Sequence, residues 1–589
     1  MTARSFRRRT ARVVECRPRP LTDTPLQVLD AAVGQMSHLL DHSGVVALIE
    51  AELAGRPGPR GLPIRTVLLG LLLSIHYIGK ATLCDAWRLV TFSLTPAAQA
   101  RLGLEAINPD DPYERLASSR RFYRAFDRIT STLDPARTDR RTRLPRHKAI
   151  QHAVAWEDDD PEHRRLRDLL QTIVTNLILA PVVQDKGRRY FKYYQGHVGI
   201  DATAMPTWAK PPRANRGLAS TEITAGWHHS AGNDRPTFGY SATLATATRT
   251  RTTLGTYPQL VLGLVIDTPH KRVGQNAITT LHGFAPLGLP VGALAVDRAY
   301  TDQATEHFAR PARALGYHLV LDYKQDQRGL QGSAHGALLI DGNLACPLMP
   351  IPLIHATEGL DDKTVRTPPE QLNELIAARE PYWLKLKQSA DAQGRIRLQC
   401  PAAGPSPSVT CPRLNRTRPT PPASPAAVDL TNARQRAAHL AAKPTIQLPD
   451  NERKRLLPLT ELPRICQKST ITLRPDDLGI KDKLRQDRRY LTPAWQDAYK
   501  SIRANTEGVN GRIKGHHIDI GDPMNRLAHG RVAQTLLTAL MVCLANQHIL
   551  LSWRQTHDHT EQPAPQDTPT PDEHDPAPPK ADSRPPPRE

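Results

Sequence analysis

The sequence predicts an α/β protein: a mixed sheet with flanking helices, preceded by a helical N-terminal domain and interrupted by a Pro-rich insertion before its last helices. Three observations carry that expectation. From about residue 191, short runs of β pattern separated by turn residues come first in series and then in alternation with helical stretches. Residues 24–150 instead show apolar spacing of helical period. Residues 331–489 follow neither rhythm and concentrate proline, above all in "CPAAGPSPSVTCPRLNRTRPTPPASPAA" at 400–427.

Residues 1–20 form a basic arm, and 21–190 a helical, basic domain suited to binding DNA. Within it, "GRPGPRGLP" breaks one helix before Pro63 opens the next. The stretch from Arg120 to Arg146 holds nine Arg, with Phe122, Tyr123 and Phe126 near its start. Arg120, Arg121 and Arg124 are candidates to track phosphates, since cations interleaved with aromatic rings suit that task. A helix with its rings in the core and its Arg in water fits the same pattern.

Residues 191–330 supply the first part of the sheet domain. "HVGIDATAMP" (197–206), "GYSATLATATR" (239–249) and "QLVLGLVIDTP" (259–269) read as three strands in series. A helix near 274–285, the strand of "VGALAVDRAYTD" (291–302), a helical "DQATEHFARPARALG" (302–316) and the strand of "YHLVLDYKQ" (317–325) follow. Residues 331–489 are the insertion, 490–556 the returning helical part of the sheet domain, and 557–589 a disordered Pro-rich tail.

The chain has 78 Lys and Arg against 58 Asp and Glu, a net charge of +20, and Arg outnumbers Lys roughly three to one. A polyanion partner, nucleic acid first among them, accounts for this excess. A solvated basic surface would also produce it. No run reaches the roughly 18 apolar residues of a membrane span. The nearest, 66–79 and 536–551, read as core helices, so no membrane partner is expected. The Arg-rich start lacks the apolar core of a signal peptide, and seven Cys without close pairing suit a reducing compartment. The expected location is cytoplasmic, with the nucleoid.

The run from Val291 to Val296 ends on a carboxylate, Asp297, and the first strand carries another, Asp201. In a sheet whose first and fourth strands are parallel neighbours, these two side chains meet. Close carboxylates repel unless a cation joins them, and hard oxygen donors select Mg²⁺ or Mn²⁺. A third acid lies in "TPAWQDAYKSIRANTEGVNGRIKG" (492–515), which Thr492 and Pro493 can open as a helix. Tyr499, Arg503, Glu507, Asn510 and Lys514 fall on one stripe of that helix, and Trp495, Ala498, Ile502, Val509 and Ile513 on the adjoining one. Plain surface pairing of Glu507 with its basic neighbours fits equally well. Among the other acids, Asp267 reads as turn chemistry, Asp302 as a helix N-cap, and Asp322 as the replacement if Asp297 is not the second carboxylate.

This arrangement resembles the RNase H-like fold of DDE-type insertion-sequence transposases and integrases. "GIDATAM", "AVDRAYTD" and "YKSIRANTEGVNGRIK" fill the places of that family's first Asp, second Asp and late-helix Glu. The last segment resembles the Tyr-Arg-Glu-Lys signature of one large insertion-sequence group. Arg503, Glu507 and Lys514 keep its spacing, and Tyr499 lies one residue farther from the Arg than usual. The resemblance covers about 191–330 and 490–553.

It implies a DNA transposase, working as a homo-oligomer on double-stranded DNA, both element ends and target. Asp201, Asp297 and Glu507 would hold two Mg²⁺ (or Mn²⁺) ions for phosphodiester hydrolysis and strand transfer. Arg503, Lys514 and Tyr499 would contact DNA, as would Arg298. A transposase relative that binds DNA without cutting it, or a metal-dependent nuclease without strand transfer, would carry the same residues.

Inside or near the insertion lie Cys346, Cys400, Cys411 and Cys466, three of them followed by Pro. They could close a four-thiolate zinc site that staples a module lacking its own core; ordinary buried thiols are the alternative. "GWHH" (226–229) and "KGHH" (514–517) read as surface loops.

Overall fold

The computed structural model describes residues 27–55, 61–138, 142–184, 190–212, 217–229, 236–361, 367–414, 432–441, 443–453, 455–515 and 517–557. The basic arm at 1–20, the tail at 558–589 and much of the proline-rich stretch, 415–431, lie outside the described residues. The protein is mixed α/β and divides into two compact units, 1–322 with 494–551, and 323–493 with 552–589.

Helices open the first unit: α1 (Asp30–Ser43), α2 (Val45–Leu53), α3 (Ile64–Ile78), α4 (Leu83–Arg88), α5 (Pro96–Arg101), α6 (Pro112–Thr132), α7 (Arg146–Ala153) and α8 (Pro161–Gln184). Three of them begin on a capping side chain. Thr82, Thr95 and Asp111 accept from the first-turn amides of α4, α5 and α6, and Pro96 and Pro112 occupy first-turn positions whose N–H no helix would use. On α6, Phe122 and Phe126 are buried while Arg120, Arg121 and Arg124 face water. Arg121 pairs with Glu105 there.

The sheet has six strands: β1 (Val198–Pro206), β2 (Gly226–His228), β3 (Thr237–Ala247), β4 (Val261–Asp267), β5 (Ala293–Val296) and β6 (His318–Leu321). Their order is β2-β3-β1-β5-β6, with β4 also on β3. The β1–β3 and β3–β4 pairs are antiparallel, and β1–β5 and β5–β6 parallel. β4 is buried along its whole length, as its unbroken apolar run requires of a strand covered on both faces.

The edge of β4 is capped by side chains. Asn546 accepts from Val261 N at 3.0 Å and donates to Val261 O at 2.8 Å, and Gln171 of α8 donates to Leu264 O at 2.9 Å. Between the strands run α9 (Val273–Phe284) and α10 (Ala309–Ala314). The helix expected over 302–316 is short because Pro311 lacks an N–H and must stand in a first turn. Residues Tyr300–Asp302 form a 3₁₀ turn, so Asp302 is not the N-cap expected of it. Gly226–His228 of "GWHH" is an edge strand rather than a loop.

After the second unit the chain returns as α11 (Pro493–Gly515) and α12 (Arg531–His557). Two helices, Pro161–Gln184 and Arg531–His557, are long and apolar enough to cross a membrane, with 61% and 78% of their apolar windows buried within protein. A bent pair, Ile64–Ile78 with Leu83–Ser93, also passes that test together. α12 packs as the core helix expected for it; the apolar length of α8 was not apparent from its charged first turns.

In the second unit, β7 (Leu330–Ala334), β8 (Ala337–Ile340) and β9 (Asn343–Ala345) form one antiparallel sheet, and β10 (Lys385–Gln388), β11 (Ile396–Gln399) and β12 (Thr470–Leu473) another. Leu339, Ile340, Leu353, Tyr382, Trp383, Ile465 and Ile471 belong to one buried cluster. The insertion therefore has a core of its own, contrary to expectation. Its apolar residues come in runs of three or four set between Gly turns, too short to display a period. A buried ion pair, Arg379 with Asp341 at 2.6 Å, braces the unit, with Thr357 donating to the same carboxylate.

Candidate active site

β1 and β5 pair in parallel, Val198 with Leu294 and Gly199 with Ala295. Carrying that register forward two residues brings Asp201 alongside Asp297, just past the end of β5. Alternation puts Gly199, Asp201 and Thr203 on one face of β1, and α11 lies along that face. A Cβ at Gly199 would overlap the Thr506 hydroxyl, so only glycine admits the helix at this distance. Next along, Asn510 Nδ2 donates to Asp201 Oδ2 at 3.0 Å. Lys514 Nζ then donates to Thr203 Oγ1.

The contacts step by four residues on the helix and two on the strand. Four helical residues rise about 6 Å and two strand residues about 6.6 Å, so the ladder stays in register over its length. Trp495 Nε1 on Leu321 O at 3.1 Å and Asn505 Nδ2 on Arg249 O at 2.9 Å fix the helix elsewhere. The apolar stripe of Trp495, Ala498, Ile502, Val509 and Ile513 is buried as expected.

Arg503 stands among the acids. Its Nη1 lies 3.5 Å from Asp201 Oδ1 and its Nη2 3.4 Å from Glu507 Oε1. Burial works against its charge, yet Asp201, then Tyr499, Asp297 and Glu507, leave its pKa raised. Nη1 reaches no hydrogen-bond partner among the described residues despite its ion pair, and neither does the Asn510 Oδ1. Burial lowers the Lys514 pKa against the pull of Asp201 and Asp519.

Glu507 is 65% exposed, against 19% for Asp201. Asp201 and Glu507 thus border one guanidinium whose charge Asp297 also favours, and the three acids form no closed cluster. Among the described residues no three His, Cys, Asp or Glu side chains stand at metal-binding geometry.

Arg298 donates to Asp322 at 2.7 Å, bridging the ends of β5 and β6. Tyr499 stacks on Trp495 with centroids 4.7 Å apart; burial, then Asp322, raises its pKa. Tyr300 was not foreseen. It lies fully buried, and burial, then Asp297 and Asp201, push its pKa well up; its hydroxyl has no hydrogen-bond partner among the described residues. The signal was its place three residues after Asp297, where an aromatic reads as ordinary core.

Asp267 is no turn residue. It is buried at the end of β4 and bound by Arg272 at 2.8 Å, Arg531 at 2.9 Å and Asn276 at 3.1 Å. Nor does the second His pair sit in a free loop: His517 Nε2 donates to the His76 carbonyl oxygen at 2.9 Å, and its ring lies near that of His548. His516 is outside the described residues. Cys346, Cys400 and Cys411 are buried, Cys466 less so, and all four line one cavity of the second unit. No protein-family model, curated protein or solved structure matches the chain.

Proposed function

We propose that this protein is a DNA transposase of the DDE type, built on an RNase H-like sheet, with Asp201, Asp297 and Glu507 as its metal-binding acids. The observation that carries the reading is the in-register placement of Asp201 and Asp297 on neighbouring parallel strands, faced by a helix that presents Arg503, Glu507, Asn510 and Lys514. The donors are all oxygens, the type that Mg²⁺ or Mn²⁺ prefers, and the buried Asn510 Oδ1, without a hydrogen-bond partner among the described residues, supports that choice of ion. When bound, two such ions supply activation of an attacking oxygen and neutralisation of a leaving one.

The chain's own residues hold the substrate. Arg503 and Lys514 bind the phosphate backbone beside the acids, and in doing so Arg503 gives up its place between Asp201 and Glu507. Arg298 lies within the same rim, and the exposed Arg120, Arg121 and Arg124 of α6 extend phosphate contact. Multimers would form on paired element ends.

One observation favours a second reading, DNA binding without cleavage: Glu507 points to solvent and to Arg503 rather than to the aspartates. A supercoiled-plasmid assay decides, with the DNA flanking the gene as donor, Mg²⁺ against EDTA, and wild type against Asp297→Asn. Metal-dependent excision or strand transfer that the substitution abolishes is the expected result. Nicking without joining would indicate a nuclease, and retained cleavage by Asp297→Asn would overturn the assignment of that residue.

A further inference from the structure

The second unit gathers four cysteines that lie far apart in sequence. Cys346 follows β9, Cys400 follows β11, Cys411 stands in a loop and Cys466 lies on the short helix Arg464–Lys468. All four line the same small cavity, and none is in a disulfide. Cys346, Cys400 and Cys411 are 5%, 9% and 7% exposed, so the sulfurs face inward rather than into water.

The local backbone is alike at three of them. Cys346-Pro347, Cys400-Pro401 and Cys411-Pro412 each turn the chain so that amides just downstream face the sulfur. These are Leu348 at the first, Ala402 and Ala403 at the second, and Arg413 and Leu414 at the third. Burial raises all three thiols above their ordinary value, and these amides offset part of that rise. At the fourth, Arg413 Nη1 donates to Cys466 Sγ at 3.5 Å while the same guanidinium is held by the buried Glu452. Backbone amides and a guanidinium aimed at four sulfurs around one cavity are the outer hydrogen bonds that metal-bound sulfurs accept.

We propose that Cys346, Cys400, Cys411 and Cys466 together bind one structural zinc ion. Four sulfur donors in a closed, redox-inert, tetrahedral site select Zn²⁺ over hard cations. On binding, four S–H bonds break, four Zn–S bonds form and four protons leave to solvent, so that the site carries two negative charges, which Arg413 partly offsets. Among the described residues the four sulfurs do not stand at metal-binding geometry, so binding would have to draw them inward. The metal would join β9, β11 and the helix Arg464–Lys468, closing loops far longer than those of a zinc finger. This site is separate from the carboxylates of the first unit and does not depend on the reading given to them.

The test uses the full-length protein purified without chelator. Elemental analysis should find close to one zinc per chain, released in step with thiol modification by p-hydroxymercuribenzoate. Replacing zinc by cobalt should give a thiolate-to-cobalt charge-transfer band. Cys411→Ser should lose the metal and Cys543→Ser, a buried thiol of α12, should keep it. Since Cys411→Ser could simply fail to fold, the wild-type readings decide. Zinc well below one per chain with no thiolate–cobalt band would overturn the proposal, as would iron in its place or a disulfide between any two of the four.

Discussion

Two strands of one sheet end on aspartate, β4 at Asp267 and β5 just before Asp297, and the two ends have opposite characters. At the end of β4 the carboxylate is 2% exposed and saturated by Arg272, Arg531 and Asn276. At the end of β5 it is half-buried, accepts from the Ala299 amide at 3.0 Å, and stands beside a second carboxylate. An apolar run followed by Asp therefore specifies a position in the sheet and not a role. The role is set by which helix arrives there. Arg531 of α12 closes one end, whereas α11 brings the other a guanidinium shared among acids.

The sharpest break between the two ends is in activity. On the proposed function, Asp297→Asn should reduce metal-dependent DNA cleavage to background while leaving the thermal midpoint unchanged, measured by plasmid assay and calorimetry on one preparation. The reverse is expected of Asp267→Asn. Taking the charge from a buried network strands two guanidiniums, which costs about 3 kcal/mol, while cleavage per folded molecule persists. Denaturant unfolding reads the first effect. If both substitutions acted on stability alone, the two ends would not differ in kind.

A smaller change tests how α11 serves the Asp297 end. Gly199→Ala places a methyl on the Thr506 hydroxyl and should cost about 1–3 kcal/mol as overpacking. Thr506→Ala in the same chain should recover most of that loss, a non-additivity expected only of residues in contact. Equal losses in the single and double variants would mean that the close approach at Gly199 does not limit docking.

The smallest effect is on pH dependence. Burial raises the Asp267 pKa, but Arg531 and then Arg272 outweigh it, so its folded value lies below 3.8. A depressed carboxylate contributes fully above its unfolded pKa and loses that contribution as pH falls through the folded one. Wild type should thus lose stability below about pH 4 by more than Asp267→Asn does. Urea midpoints across that range measure the difference.

How much of this was legible follows from the kind of signal each part leaves. β1, β3, β4, β5 and β6 are long or unbroken enough to show as apolar runs, and their turns carry Gly and Pro. β2 has three residues and no period, so Trp227 and His228 could only read as loop. The apolar and polar stripes of α11 emerged from spacing alone, including Asn510, although nothing local showed that its amide would meet Asp201. Asp267 was misread because one of its partners, Arg531, lies far away in sequence. The core of the second unit was missed for a similar reason: Leu339, Trp383 and Ile471 come from different short runs that only folding assembles.

The return of the chain in α11 also fixes an order of events during synthesis. Both aspartates emerge from the ribosome before the whole of 323–493, and Arg503, Glu507, Asn510 and Lys514 only after it. A nascent or prematurely terminated chain holds the strand carboxylates without the helix that faces them. Every released fragment that stops short of α11 is accordingly unable to complete the carboxylate face, and translation itself times when that face first exists.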